Sequence, residues 1–89
     1  MDRTVATRLL QQELAKVRQR GYRRLLAERG DEVVTQVVGP DGEEYTMSVQ
    51  LFWDKEEHGP LRVIVSIDDG GLRAIVPLTI DDIVYPDTK

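Results

Sequence analysis

The spacing of apolar residues changes once along this chain, near residue 30, and that change constrains the fold more than any other feature. Before it, Val5, Leu9, Leu10, Leu14, Val17, Leu25 and Leu26 recur at intervals of three and four, the repeat that gathers side chains on one face of an α-helix. After it, Tyr45, Met47, Val49, Leu51 and Trp53 alternate with Glu44, Thr46, Ser48, Gln50 and Phe52, the period of two that belongs to a strand with unlike faces. A chain of 89 residues has room for one domain and not for two. Helix and strands therefore share one core. The predicted class is α+β: an N-terminal helix packed on a four-stranded antiparallel meander, with a short C-terminal helical turn, in a single domain over 1–89.

The helix is expected over 3–28, the sheet over 32–76 and a C-terminal segment over 77–89. Asp2 or Thr4 can cap the first helical turn, and Gly30 supplies a stop of the left-handed type. Gly21 falls on the apolar stripe, four residues after Val17 and four before Leu25. Either the helix continues through it, or it breaks there into two. An interior glycine costs only about 1 kcal/mol, which favours a continuous helix with a bend. The β-branched run 32–38 reads as a strand. Gly39-Pro40-Asp41-Gly42 is a turn, because Pro40 presets φ and Gly42 accepts a positive one. Strands follow at 43–53 and 61–67, joined by a polar loop from Asp54 to Pro60. Asp69-Gly70 reads as a tight hairpin turn leading to a strand at 72–76. Beyond Pro77, Thr79-Ile80-Asp81-Asp82 has the form of a helix N-terminus, so a helical turn is expected over 80–84. A short strand at 82–85 is the alternative.

Two-residue closure at Asp69-Gly70 would pair Ile67 with Leu72, Val65 with Ala74 and Val63 with Val76, and on the opposite face Ile64 with Ile75 and Ser66 with Arg73. Symmetric closure of the longer loop would set Phe52 opposite Arg62 and Gln50 opposite Ile64. Phe52, Ile64 and Ile75, bordered by Arg62 and Arg73, then form a candidate protein-binding patch on the face away from the helix. An aromatic anchor beside arginine is a common hot-spot composition. The same residues also read as ordinary cross-strand pairs, or as a surface covered by Ile80, Ile83 and Tyr85 of the C-terminal segment.

The charge is divided along the chain. Residues 1–30 hold eight Lys/Arg and three Asp/Glu, and residues 31–89 hold four and thirteen. The net charge is −4. Arg18, Arg20, Arg23 and Arg24, within the Arg-rich stretch 16–29, are the candidate nucleic-acid contacts. Against that reading, a net-acidic domain repels nucleic acid. The bland reading of the asymmetry is a basic helix lying beside an acidic sheet.

Carboxylates gather at the two ends of the sheet: Asp54, Glu56 and Glu57, near Asp81 and Asp82, and Asp41, Glu43, Glu44, Asp68 and Asp69. Acid–base chemistry from them would need a pocket that drives their pKa values apart. Turn-rich sheet ends are normally solvated instead. His58, the single histidine, lies in the polar loop without a nucleophile or orienting partner beside it in sequence. The absence of cysteine removes thiolate metal sites and disulfides. Neither a calcium-loop pattern nor a phosphate loop is present. No cofactor and no metal is expected. No apolar run reaches the ~20 residues that span a bilayer, and the N-terminus lacks a secretion pattern, so a cytoplasmic setting and no membrane partner are expected.

The pattern Phe52-Trp53-Asp54, Leu61-Arg62-Val63, Ile67-Asp68-Asp69-Gly70-Gly71, Arg73-Ala74 and Pro77-Leu78-Thr79 resembles small bacterial hypothetical proteins of about this length and of unknown function. The resemblance covers residues 45–87. It implies a bacterial cytoplasmic setting and brings no site residue with it. The functional expectation is a non-enzymatic protein-interaction module. The alternatives are nucleic-acid binding through the Arg-rich helix and an enzyme using the rim carboxylates. Gly21 on the helix seam leaves self-association open.

Overall fold

The computed structural model describes residues 3–68 and 78–86. The N-terminal segment is helical but divided. Helix α1 spans Arg3–Gln19 and helix α2 spans Tyr22–Glu28. The expected continuous helix is therefore corrected to two. Gly21 adopts φ 82 and ψ 159, a backbone region open to little but glycine. The first helix tightens as it ends, with Arg20 N–H donating to the Val17 carbonyl and Gly21 N–H to that of Arg18. Gly21 then starts the second, its carbonyl accepting from Leu25 N–H at 3.1 Å. The break redirects the chain so that both halves of the stripe reach the sheet: Leu10 and Val17 from α1 and Leu25 from α2 are fully buried. Ala6 joins them; its small side chain lets α1 lie close.

The second helix ends at Glu28, with Arg29 extended and its guanidinium donating to the Leu26 carbonyl. Gly30 has the positive φ expected of it just past the helix end, but it does not bond back to the helix. It takes φ 112 and donates its N–H to the Leu51 carbonyl, bringing the chain alongside the sheet. Thr4 lies inside the first turn of α1, and Asp2, the other expected cap, lies outside the described residues.

Four antiparallel strands follow in sequential order: β1 (Val33–Val38), β2 (Glu44–Trp53), β3 (Leu61–Asp68) and β4 (Leu78–Val84). The turn between β1 and β2 is the expected one. Gly39 N–H donates to the Glu43 carbonyl and Gly42 N–H to that of Gly39, with Gly42 at φ 81. Asp41 stabilises it further by accepting from Glu43 N–H and from the Tyr45 hydroxyl. The register between β2 and β3 is also as expected, with Phe52 opposite Arg62 and Gln50 opposite Ile64.

The last strand differs. Residues 80–84 are not a helical turn; they belong to β4, which pairs with β3 so that Ile67 faces Leu78, Val65 faces Ile80 and Ile64 faces Asp81. This replaces the expected pairings of β3 with residues 72–76, a segment outside the described residues. The capping signal at Thr79 loses to the edge of β3, whose backbone groups need a strand beside them. Leu78, Ile80 and Val84 turn to the core. Asp82 faces the same side, where Arg18 of α1 meets it at 2.7 Å.

The inner face of the sheet carries the core. Tyr45, Met47 and Leu51 of β2 and Leu61, Val63, Val65 and Ile67 of β3 are buried there. Helix α1 lies over β3 and β4, and α2 over β2 and β3. A helix is about 10 Å across and strands are about 4.8 Å apart, so one helical layer covers roughly two or three strands. β1 is the strand left out.

Candidate interaction surface

β1 is the first strand of the meander and has one neighbour, β2, among the described residues. Its sequence is Val-Val-Thr-Gln-Val-Val, without charge or proline. Val33, Val34 and Val38 are 57, 56 and 66% exposed. The direction of its backbone groups follows from the hairpin. Gly39 bonds to Glu43 across the turn, and antiparallel pairing alternates from there. Val37, Thr35 and Val33 therefore direct their N–H and C=O to β2, and Val38, Gln36 and Val34 direct theirs outward. Natural edge strands are usually blunted by lysine, proline, a bulge or shortness. β1 has none of the first two and keeps an unbroken register along its length.

Beside this strand, on the helix side, lies a small cavity of about 90 Å³. Val33, Thr35 and Val49 form its sheet wall, and Glu13, Arg20 and Glu28 line its helix side. Arg20 is held there by Glu28 at 3.1 Å. Val37 packs against the core, while Val33 and Thr35 form a strip of the inner face that runs to the edge with Glu13, Arg20 and Glu28 at its margin.

The sequence-predicted patch on the outer face is brought together only in part. Phe52, Arg62 and Ile83 form one cross-strand row, and Ile64 sits in the next, between Gln50 and Asp81. Phe52 is 41% exposed. Ile83 occupies the place beside Arg62. Arg73 and Ile75 lie outside the described residues. The described residues of the C-terminal segment do not cover this face: Ile80 is on the inner side, Ile83 is within the sheet and Tyr85 is exposed. Arg62 is engaged by two carboxylates, Asp54 at 2.8 Å and Asp81. The Asp54 hydrogen bond and charge, then Asp81, hold the guanidinium above its usual pKa, so it stays charged throughout the accessible pH range. Between this row and β1 the face is largely polar, with Ser66 and Thr79 hydrogen-bonded at 3.1 Å and Thr46 donating to the Gln36 side chain, and at β1 itself Val34 and Val38 are exposed on it.

The arginines of the helical segment are largely taken up within the protein. Arg18 pairs with Asp82, and Arg20 and Arg24 both pair with Glu28. Arg29 lies over the Trp53 ring at 4.9 Å. Arg23 is exposed. Of the rim carboxylates, Asp54 and Asp81 meet on Arg62, and Asp41 holds Tyr45. Asp69 lies outside the described residues. The His58 ring packs against Trp53 at 5.6 Å in an exposed loop. Among the described residues no group of three or more His, Cys, Asp or Glu is placed to hold a metal, and no helix is long and apolar enough to cross a membrane.

The open edge was not among the residues singled out from sequence, although its signal was present. The first strand of a meander is necessarily an edge, and 33–38 contains no charged residue. Comparison with known protein families, curated proteins and solved structures gave no match.

Proposed function

We propose that this protein is a non-enzymatic protein-interaction module and that it binds by adding a strand to β1. The observation that supports this most directly is an uncharged edge strand rich in β-branched residues, with three exposed valines and no strand on its outer side among the described residues. Strand addition draws affinity from main-chain hydrogen bonds and selectivity from alternate side chains, and β1 offers both. The Phe52 face remains the second candidate surface for the same function, on the strength of its partly exposed aromatic ring beside Arg62.

The test combines recovery of a partner with amide hydrogen exchange. Tagged protein is used to recover partners with and without nuclease, alongside a Val34→Lys/Val38→Lys variant and a Phe52→Ser variant. Loss of the partner with the lysine pair, together with slowed exchange at Val34, Gln36 and Val38 on binding, is the expected result. Loss with Phe52→Ser alone would move the surface to the outer face. Recovery that disappears with nuclease and weakens steeply with salt would favour nucleic acid and the exposed arginines instead.

A further inference from the structure

Resting on the reading of β1 as a docking edge, we infer that the strand added to it is β1 of a second copy of this chain, paired antiparallel about a twofold axis at Gln36. The argument begins with the backbone. Val34, Gln36 and Val38 direct their peptide groups outward, counted from the Gly39–Glu43 bond. With Gln36 on the axis, Gln36 of the two copies exchange hydrogen bonds, and Val34 of each exchanges with Val38 of the other. Every outward N–H and C=O of the strand is then paired within the strand itself. Shifting the axis to Thr35 would set Val34 against Gln36 and leave Val38 against Glu32, which lies before the strand begins.

Side chains agree with that register. A twofold axis perpendicular to the sheet keeps both inner faces on the same side. On the outer face Val34, 56% exposed, meets Val38, 66% exposed, on either side of a Gln36 pair. On the inner face Thr35 meets Val37. The strips formed by Val33 and Thr35 at the margins of the two helical layers meet at the centre of an eight-stranded sheet. β-Branched cross-strand pairs of this kind stabilise a sheet.

The outer strands of the described sheet also differ in a way that favours a closed pair. β4 carries Asp81 and Asp82 at its middle, and two copies of it side by side would set like charges together. β1 carries no charge at all. Self-pairing through β1 is isologous and ends at two copies.

The chain contains no cysteine, so one introduced thiol reports position cleanly. Sedimentation of the full chain across a concentration series should give a dimer. Gln36→Pro should halve the mass while leaving circular dichroism unchanged, because the N–H it removes points away from β2. Val34→Lys/Val38→Lys should do the same by charge, and serves where the proline disturbs the strand. Oxidised Gln36→Cys should cross-link to itself. Val34→Cys should cross-link only when mixed with Val38→Cys. A wild-type chain that is monomeric up to its solubility limit, or a dimer that persists in both edge variants, would overturn the self-pairing. A monomer whose Val34, Gln36 and Val38 amides become protected by a different partner would sink the self-pairing alone and leave the strand-addition function standing. A dimer abolished by the edge variants but cross-linked through Val34→Cys alone would overturn the Gln36 axis.

Discussion

Gly21, with φ 82 and ψ 159, decides the course of the N-terminal third of the chain. Nothing lies within 4 Å of where a Cβ would stand, so space does not exclude a side chain there; the backbone conformation does. Gly21→Ala is expected to destabilise by about 1–3 kcal/mol, read as a lower urea midpoint with unchanged slope. Asp41 acts on a different variable. The Tyr45 hydroxyl, then Glu43 N–H, hold its carboxyl below the ordinary aspartate value. A carboxyl whose folded pKa is depressed contributes fully above its unfolded value, near 3.9, and loses that contribution as pH falls through the folded value. Urea midpoints taken from pH 7 to pH 2 should therefore fall less steeply on the acid side in Asp41→Asn than in the wild type. Tyr45→Phe should flatten the same limb, since it removes the principal donor.

At the scale of elements, β4 tests which force wins when local and tertiary signals disagree. Thr79, Asp81 and Asp82 suit a helix start, yet residues 78–84 form a strand because β3 supplies a full ladder of partners and the core accepts Leu78, Ile80 and Val84. Alternation then separates neighbours that a helical turn would have kept together. Ile80→Ser should cost about 2–3 kcal/mol, through lost burial and an added polar group. Ile83→Ser, on the outer face, should stay under about 1 kcal/mol. Near-equal losses measured by denaturant unfolding would contradict the strand. β1 presents the opposite situation: its strand character is plain, and its exposure follows from position alone.

Across the whole molecule, one helical layer in two pieces covers three strands and leaves the fourth. Leu10 of that layer is fully buried in one core cluster with Val17 and Leu25. Leu10→Ala should lower unfolding free energy by about 2–5 kcal/mol, a large part of what a domain of this size possesses. The charge asymmetry also resolves at this scale. Arg18 of α1 ties the helical layer to Asp82 of β4, and Arg20 and Arg24 turn back on Glu28. Much of what looks in sequence like a basic surface is matched by carboxylates within the fold. These pairs are mostly exposed and individually weak.

Periodicity determined most of the architecture. The stripe from Val5 to Leu26, the alternation from Tyr45 to Trp53 and the turn at Gly39–Gly42 are local patterns; the last two became the elements their spacing specified, and the stripe became helix on both sides of a break at Gly21. The β2–β3 register was legible too, because a loop of known length closes two strands of fixed parity. Three features depended on tertiary structure. Gly21 could continue or break the helix at a difference of about 1 kcal/mol, and only the position of the sheet beneath both halves decides between them. The partner of β3 could not be read from the Asp69-Gly70 turn, since strand pairing is chosen by which segment best fills the inner face, a contact distant in sequence. How far the inner face of β1 is covered depends on the width of the helical layer relative to four strands. That ratio is a property of the assembled molecule, and no stretch of sequence contains it.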